Sequence, residues 1–169
     1  MTDTLRSARP DEAGELAALA VRSKAHWGYP VAFLDRFARA HGLTAEVVAA
    51  NDVRVLERAG RVRGFSTVLH RGPVAVLDDL WLEPDEIGHG CGRRLFEDAA
   101  VRAGASGAAA MEWEAEPGSV GFYERMGGVT TGWVTSPLGR PLPRMRLALG
   151  VPTAPSGVPD GVTGMLDRC

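Results

Sequence analysis

The chain has 169 residues, with 19 Lys and Arg against 21 Asp and Glu, for a formal net charge of -2. That is the length of one domain, long enough to bury a core without disulfide or metal staples. Lys24 is the one lysine and the arginines are scattered, so no clustered basic face for nucleic acid is present.

Leu5 to Ala8 reads as a short strand. Pro10, Asp11 and Glu12 then suit the first turn of a helix whose apolar stripe is Leu16, Leu19 and Ala20. A second helix begins at Pro30 and runs to His41, with Phe33, Leu34, Phe37 and Ala38 at helical spacing. The connector Lys24-Ala25-His26-Trp27-Gly28-Tyr29 is unusually aromatic. From Val53 the apolar period changes to that of strands. Runs over 53–58, 61–70 and 74–82, separated by Ala59-Gly60 and Arg71-Gly72-Pro73, predict an antiparallel meander. Gly88-His89-Gly90-Cys91-Gly92 leads into a helix carrying Cys91, Leu95, Ala99 and Ala103 on one face. A strand over 108–113, a short helix over 117–126 and strands over 129–135 and 145–149 complete the domain. Strand, helix, strand in the middle predicts one right-handed crossover with parallel pairing. The fold class is therefore α/β (α+β), with a mixed, mostly antiparallel sheet and helices on both faces. Residues 1–149 form the domain, and residues 150–169, rich in Gly and Pro, are expected to be an unstructured tail.

No apolar run approaches the roughly 20 residues that span a bilayer. Met1 to Arg6 lacks the apolar stretch of a secretory signal. Cys91 and Cys169 are too few for a metal site or a disulfide scaffold. A cytoplasmic protein with no membrane partner, no nucleic-acid partner and no metal is expected.

Gly88, Gly90 and Gly92 alternate where the central strand gives way to a helix. Main-chain amides there can approach a phosphate closely, and the helix start adds unpaired N–H groups and about half a positive charge. Glycines also simply make turns. The G-x-G-x-x-G of dinucleotide-binding folds fails, because Arg93 stands three residues after Gly90. A P-loop fails for want of G-K-[ST].

Two stretches resemble the GNAT-type N-acetyltransferase superfamily. Leu80-Trp81-Leu82-Glu83-Pro84 running to Gly88-His89-Gly90-Cys91-Gly92-Arg93-Arg94 resembles the family's strand and its pyrophosphate loop, Q/R-x-x-G-x-G/A. Glu116 to Gly127, with Phe122-Tyr123, is similar to N-x-x-A-x-x-F-Y-x-x-x-G-F. Ile87 stands at the Q/R position and Gly128 at the final phenylalanine. The resemblance covers Leu5 to Leu149 and implies acetyl-CoA as cosubstrate, with an amine acceptor attacking the thioester directly. It implies that main-chain groups of Leu80 and Leu82 hold the pantetheine arm, and that Gly88, His89, Gly90, Cys91, Gly92 and Arg93 hold the pyrophosphate. Tyr123 matches the tyrosine that protonates the departing thiolate, a role its ordinary pKa of about 10 permits. Glu83, beside the carbonyl site, is the first candidate for general base. Asp78, Asp79, Glu112 and Glu114 are the other nearby acids, and Glu112 and Glu114 share a strand face. Trp27, Tyr29, Trp81 and Glu112 are the candidate acceptor contacts, although aromatic side chains fill cores as readily. The family commonly forms homodimers. Ile87 and Gly118 also motivate an alternative, an acyl-CoA-binding or sensing domain without turnover.

Overall fold

A computed structural model describes residues 2–150. The tail beyond Gly150 lies outside the described residues, as does Met1. The chain order is β1 (Thr4–Ser7), α1 (Ala13–Ala25), α2 (Val31–His41), α3 (Ala45–Ala50), β2 (Asp52–Arg58), β3 (Arg61–Arg71) and β4 (Val74–Leu82). Then come α4 (Cys91–Ala105), β5 (Ala110–Glu114), α5 (Val120–Arg125), β6 (Val129–Thr135) and β7 (Pro141–Ala148). Among the described residues no helix is long and apolar enough to cross a membrane.

Seven strands form one sheet in the order β1-β2-β3-β4-β5-β7-β6, antiparallel except for the β4–β5 pair. This is the mixed sheet with one parallel crossover that the sequence predicts. The crossover helix α4 buries Phe96, Ala99 and Ala103 on one face of the sheet, against Leu77, Met111 and Trp113, and Leu95 against Leu56 and Leu82. On the other face, Leu16, Leu19 and Ala20 of α1 pack with Val53, Val55 and Phe65. Each fully buried side chain of this size contributes about 1.5–3 kcal/mol of apolar burial.

Three elements differ from the sequence expectation. Helix α1 continues through Lys24 and Ala25, because Lys24 is buried rather than displayed on a connector. Helix α3 was not expected: Thr44 caps it through Val47 N–H, and six residues are too few for a periodic signal. Strand β7 starts at Pro141, four residues before the expected start, and takes in two prolines. Proline is normally excluded from an interior strand. Here the carbonyl of Pro143 accepts from Ala115 N–H, so the ladder keeps that bond without a proline donor.

Two irregularities open the sheet at its centre. β4 and β5 stay paired only over Val74–Val76 and Ala110–Glu112. Beyond that β5 continues against β7, and β4 runs on to Leu82 beside β3 alone. In the β3–β4 ladder Thr67 faces Asp79 while Val68 faces Leu77, which leaves Asp78 as the extra residue of a β-bulge.

Candidate active site

The opening between β4 and β5 is bounded by two cavities that share Leu77, Asp78, Trp81, Trp113, Glu114 and Glu116. The first, about 590 Å³, runs along the end of β4 to the glycine loop and α5. The second, about 460 Å³, lies between α2, the β6–β7 connection and the same two strands.

The strand end and the glycine loop bring main-chain groups to the first cavity. Glu83 N–H donates to Arg63 C=O, so by strand alternation the polar groups of Leu82 and Leu80 turn away from β3 into the gap left by β5. Leu82 N–H donates a long 3.4 Å bond to Ser23 Oγ. Past the strand, Gly88 and Gly90 adopt left-handed backbone at φ 86° and 88°, where a side chain is strained. Gly92 is constrained by space instead, since a Cβ there would sit 3.3 Å from Leu82 Cδ1. The first intrahelical bond of α4 joins Arg94 N–H to Gly90 C=O, which leaves the amides of Cys91, Gly92 and Arg93 without helical partners.

Beneath this loop Glu86 is buried and receives Arg58 (2.9 Å), Arg63 (2.7 Å) and the Cys91 thiol (3.0 Å). The Cys91 hydrogen bond and the two guanidinium groups outweigh burial and hold Glu86 below the usual glutamate range. Burial and the Glu86 carboxylate push the Cys91 thiol up. Side chains of His89 and Cys91 line neither cavity, and Arg94 turns away to Asp3. Leu80, Leu82, Gly88, Gly90, Gly92 and Arg93 do line the first cavity.

Tyr123 also lines the first cavity, packed against Trp113 and Phe122 at 4.9 Å between ring centroids and against Phe96 at 5.5 Å. Burial raises its pKa, so its proton stays on at neutral pH. Two glycines flanking the tyrosine helix have a steric reason. A Cβ at Gly118 would lie 2.4 Å from the Trp27 ring, and one at Gly128 would lie 2.8 Å from the Trp113 ring. Two tryptophans occupy the room that side chains at those positions would need.

Glu83 does not enter the site. It lines neither cavity and is held by Arg22 at 2.5 Å and 3.1 Å, since its side chain turns toward α1 rather than into the β4–β5 gap. The carboxylates that do reach the junction are Asp78, Glu114 and Glu116. Asp78 is open on one side, yet partial desolvation and then the charge of Asp79 raise its pKa. Asp79 is buried; desolvation acts to raise its pKa, but hydrogen bonds from His41 (2.7 Å) and Trp81 (2.8 Å) prevail and keep it ionised.

Of the four candidate acceptor contacts, Trp27 lines the first cavity, Trp81 both, and Glu112 the second, where it pairs with Arg146. Tyr29 lines neither; its hydroxyl donates to Glu116, and burial with that carboxylate pushes its pKa up to about 12. Sequence reasoning did not single out Glu116 and Lys24. Glu116 binds Lys24 at 2.6 Å and Arg140 at 3.6 Å. The Lys24 ammonium sits 5.2–5.9 Å from the rings of Tyr29, Phe33, Phe37 and Trp81. One lysine among so many arginines was the available signal. Four rings close around a compact ammonium, a shape that a guanidinium does not share.

The family model of the acetyltransferase (GNAT) family matches residues 19–128, from α1 through the glycine loop to the end of the tyrosine helix. The chain belongs to the GNAT family. No curated relative matches it. Solved structures of the same fold include a GCN5-related N-acetyltransferase from Rhodopseudomonas palustris, 24% identical with a TM-score of 0.73, covering 88% of this chain and 97% of that one. The PaiA N-acetyltransferase from Thermoplasma acidophilum, in complex with coenzyme A, is 16% identical with a TM-score of 0.70 over 88% and 99% of the two chains. YncA from Salmonella typhimurium, a putative acetyltransferase with acetyl-CoA, is 20% identical with a TM-score of 0.66 over 94% and 100%.

Proposed function

We propose that this GNAT protein transfers the acetyl group of acetyl-CoA to a primary amine by direct attack. The observation that carries the reading is the pair of cavities meeting at the bulged end of β4, one running to the glycine loop and α5, the other lying against α2 and the β6–β7 connection. Two solved neighbours of this fold contain coenzyme A or acetyl-CoA, which supports the same cosubstrate here. In this reading the amides of Cys91, Gly92 and Arg93 take the pyrophosphate, and the polar main chain of Leu80 and Leu82 takes the pantetheine arm.

The acceptor enters through the second cavity. Its nitrogen attacks the thioester carbon, a C–N bond forms and the C–S bond breaks. Asp78, at the junction and with a raised pKa, accepts the proton that the amine gives up. Tyr123 donates its own proton to the departing thiolate, and burial keeps that proton available until a strong base appears beside it.

Incubation with acetyl-CoA and a panel of amines is expected to release free thiol. Tyr123→Phe is expected to lower turnover about 100-fold while calorimetric affinity for coenzyme A stays within about twofold. A sensor without turnover would bind coenzyme A and release no thiol with any amine. For Asp78 the sign is fixed by the base role. Activity is lost as pH falls through its raised pKa, and Asp78→Asn lowers kcat/KM and removes that acid limb.

A further inference from the structure

The two edge strands of the sheet, β1 and β6, are finished differently. β1 has four residues and carries Arg6, held between Glu12 and Glu57. Short length and charge are the usual protection of a sheet edge against pairing with another chain. β6 has seven residues, none of them buried and none charged. No charged residue stands anywhere between Arg125 and Arg140. Trp133, inside this stretch, is 67% exposed, more than any other aromatic side chain among the described residues. The one protection is a bulge at Thr131, and it leaves Gly132 to Thr135 in regular register with β7.

The neighbouring hydrogen bonds fix which main-chain groups of β6 lack a strand partner. Pro143, opposite Trp133, gives its carbonyl to Ala115 N–H on the β5 side and has no N–H of its own. Just past β6, Ser136 N–H bonds inward to Arg140 C=O. By strand alternation Gly132 and Val134 bond towards β7, while the N–H and C=O of Trp133 and Thr135 point out of the sheet. Such groups are satisfied by water or by a further strand.

We propose that β6 pairs with β6 of a second copy of this chain, antiparallel about a two-fold axis at Val134. In that register Trp133 and Thr135 of each copy exchange main-chain hydrogen bonds with Thr135 and Trp133 of the other, and the two Val134 side chains meet. The absence of charge selects this occupant. A two-fold contact sets a strand against itself, so any charge on it meets its like, and β6 carries none to repel. An antiparallel pair also has a two-fold axis by its own geometry, and the pairing continues the antiparallel order of β5, β7 and β6. A charged peptide or an anionic lipid surface would call on charges that this strand does not supply. The chain's own segment after Gly150 is ill suited as an added strand, since Pro152, Pro155 and Pro159 offer no N–H.

Sedimentation equilibrium of the full chain tests the pairing. At about 100 μM it is expected to give twice the chain mass of 18.0 kDa, with little dependence on salt. Val134→Lys and Val134→Glu each set like charges opposite one another across the axis, and each is expected to give monomer at the same concentration. An equimolar mixture of the two variants is expected to recover the dimer, which chains that had merely misfolded do not do. Thr4→Lys, on the exposed side of the opposite edge, is expected to leave the dimer intact. A monomeric wild-type chain, a dimer that survives both Val134 exchanges, a mixture that stays monomeric, or a dimer dissolved by Thr4→Lys overturns the proposal.

Discussion

On the α4 side of β4 the candidate site offers main-chain groups beside its aromatic side chains: strand groups left unpaired by the departure of β5, two left-handed glycines and the start of a helix. On the α2 side it is bounded by side chains drawn from segments nearly one hundred residues apart, as Lys24 and Glu116 are. Each side tolerates a different kind of change. The main-chain side accommodates Ile87, because its donors belong to no particular residue type. The side-chain side depends on matched charges, and one exchange there leaves a partner stranded.

Removing the Lys24 ammonium tests the second half of that contrast most severely. Lys24→Met leaves Glu116 to Tyr29 and Arg140 alone and is expected to cost about 3 kcal/mol in denaturant unfolding, more than 100-fold in the folding equilibrium. A loss within experimental error would show that the pair is idle. On the main-chain side, Gly90→Ala forces a side chain onto φ 88°. It is expected to cost about 1–2 kcal/mol, seen as roughly tenfold weaker calorimetric affinity for coenzyme A. The smallest effect concerns the support under the loop. Glu86 has a lowered pKa, so its ion pairs stabilise the fold above the ordinary glutamate value of 4.5 and are lost as pH falls through the lower, folded value. Glu86→Gln is therefore expected to flatten the acid end of a plot of thermal stability against pH, with little change in slope near neutrality.

The same contrast decided what could be read in the sequence. Strand and helix periods, the turn glycines and the loop from Gly88 to Gly92 are local patterns, and the sheet with its single parallel pair followed from them. The loop's amides were legible because glycine spacing reports backbone conformation directly. The charged half was not legible, because nothing local links Lys24 to Glu116 or His41 to Asp79. Glu83 looked well placed by its position after β4, yet a side chain's direction depends on its partner, and Arg22 lies sixty-one residues away. Helix α3 and the proline-bearing start of β7 were missed for the opposite reason. Helix α3 is too short to show a period and the prolines of β7 argue locally against a strand, so a capping threonine and an established neighbouring strand decide the two.

The placement of Lys24 also bears on the protein as a reagent and as a target. Its ammonium is buried and ion-paired, and the chain has no other lysine. The folded surface therefore displays no side-chain amine to an activated acyl group. Acylating dyes and ester cross-linkers are left without a lysine handle, and a protein handling acetyl thioesters exposes no lysine of its own to stray acetylation.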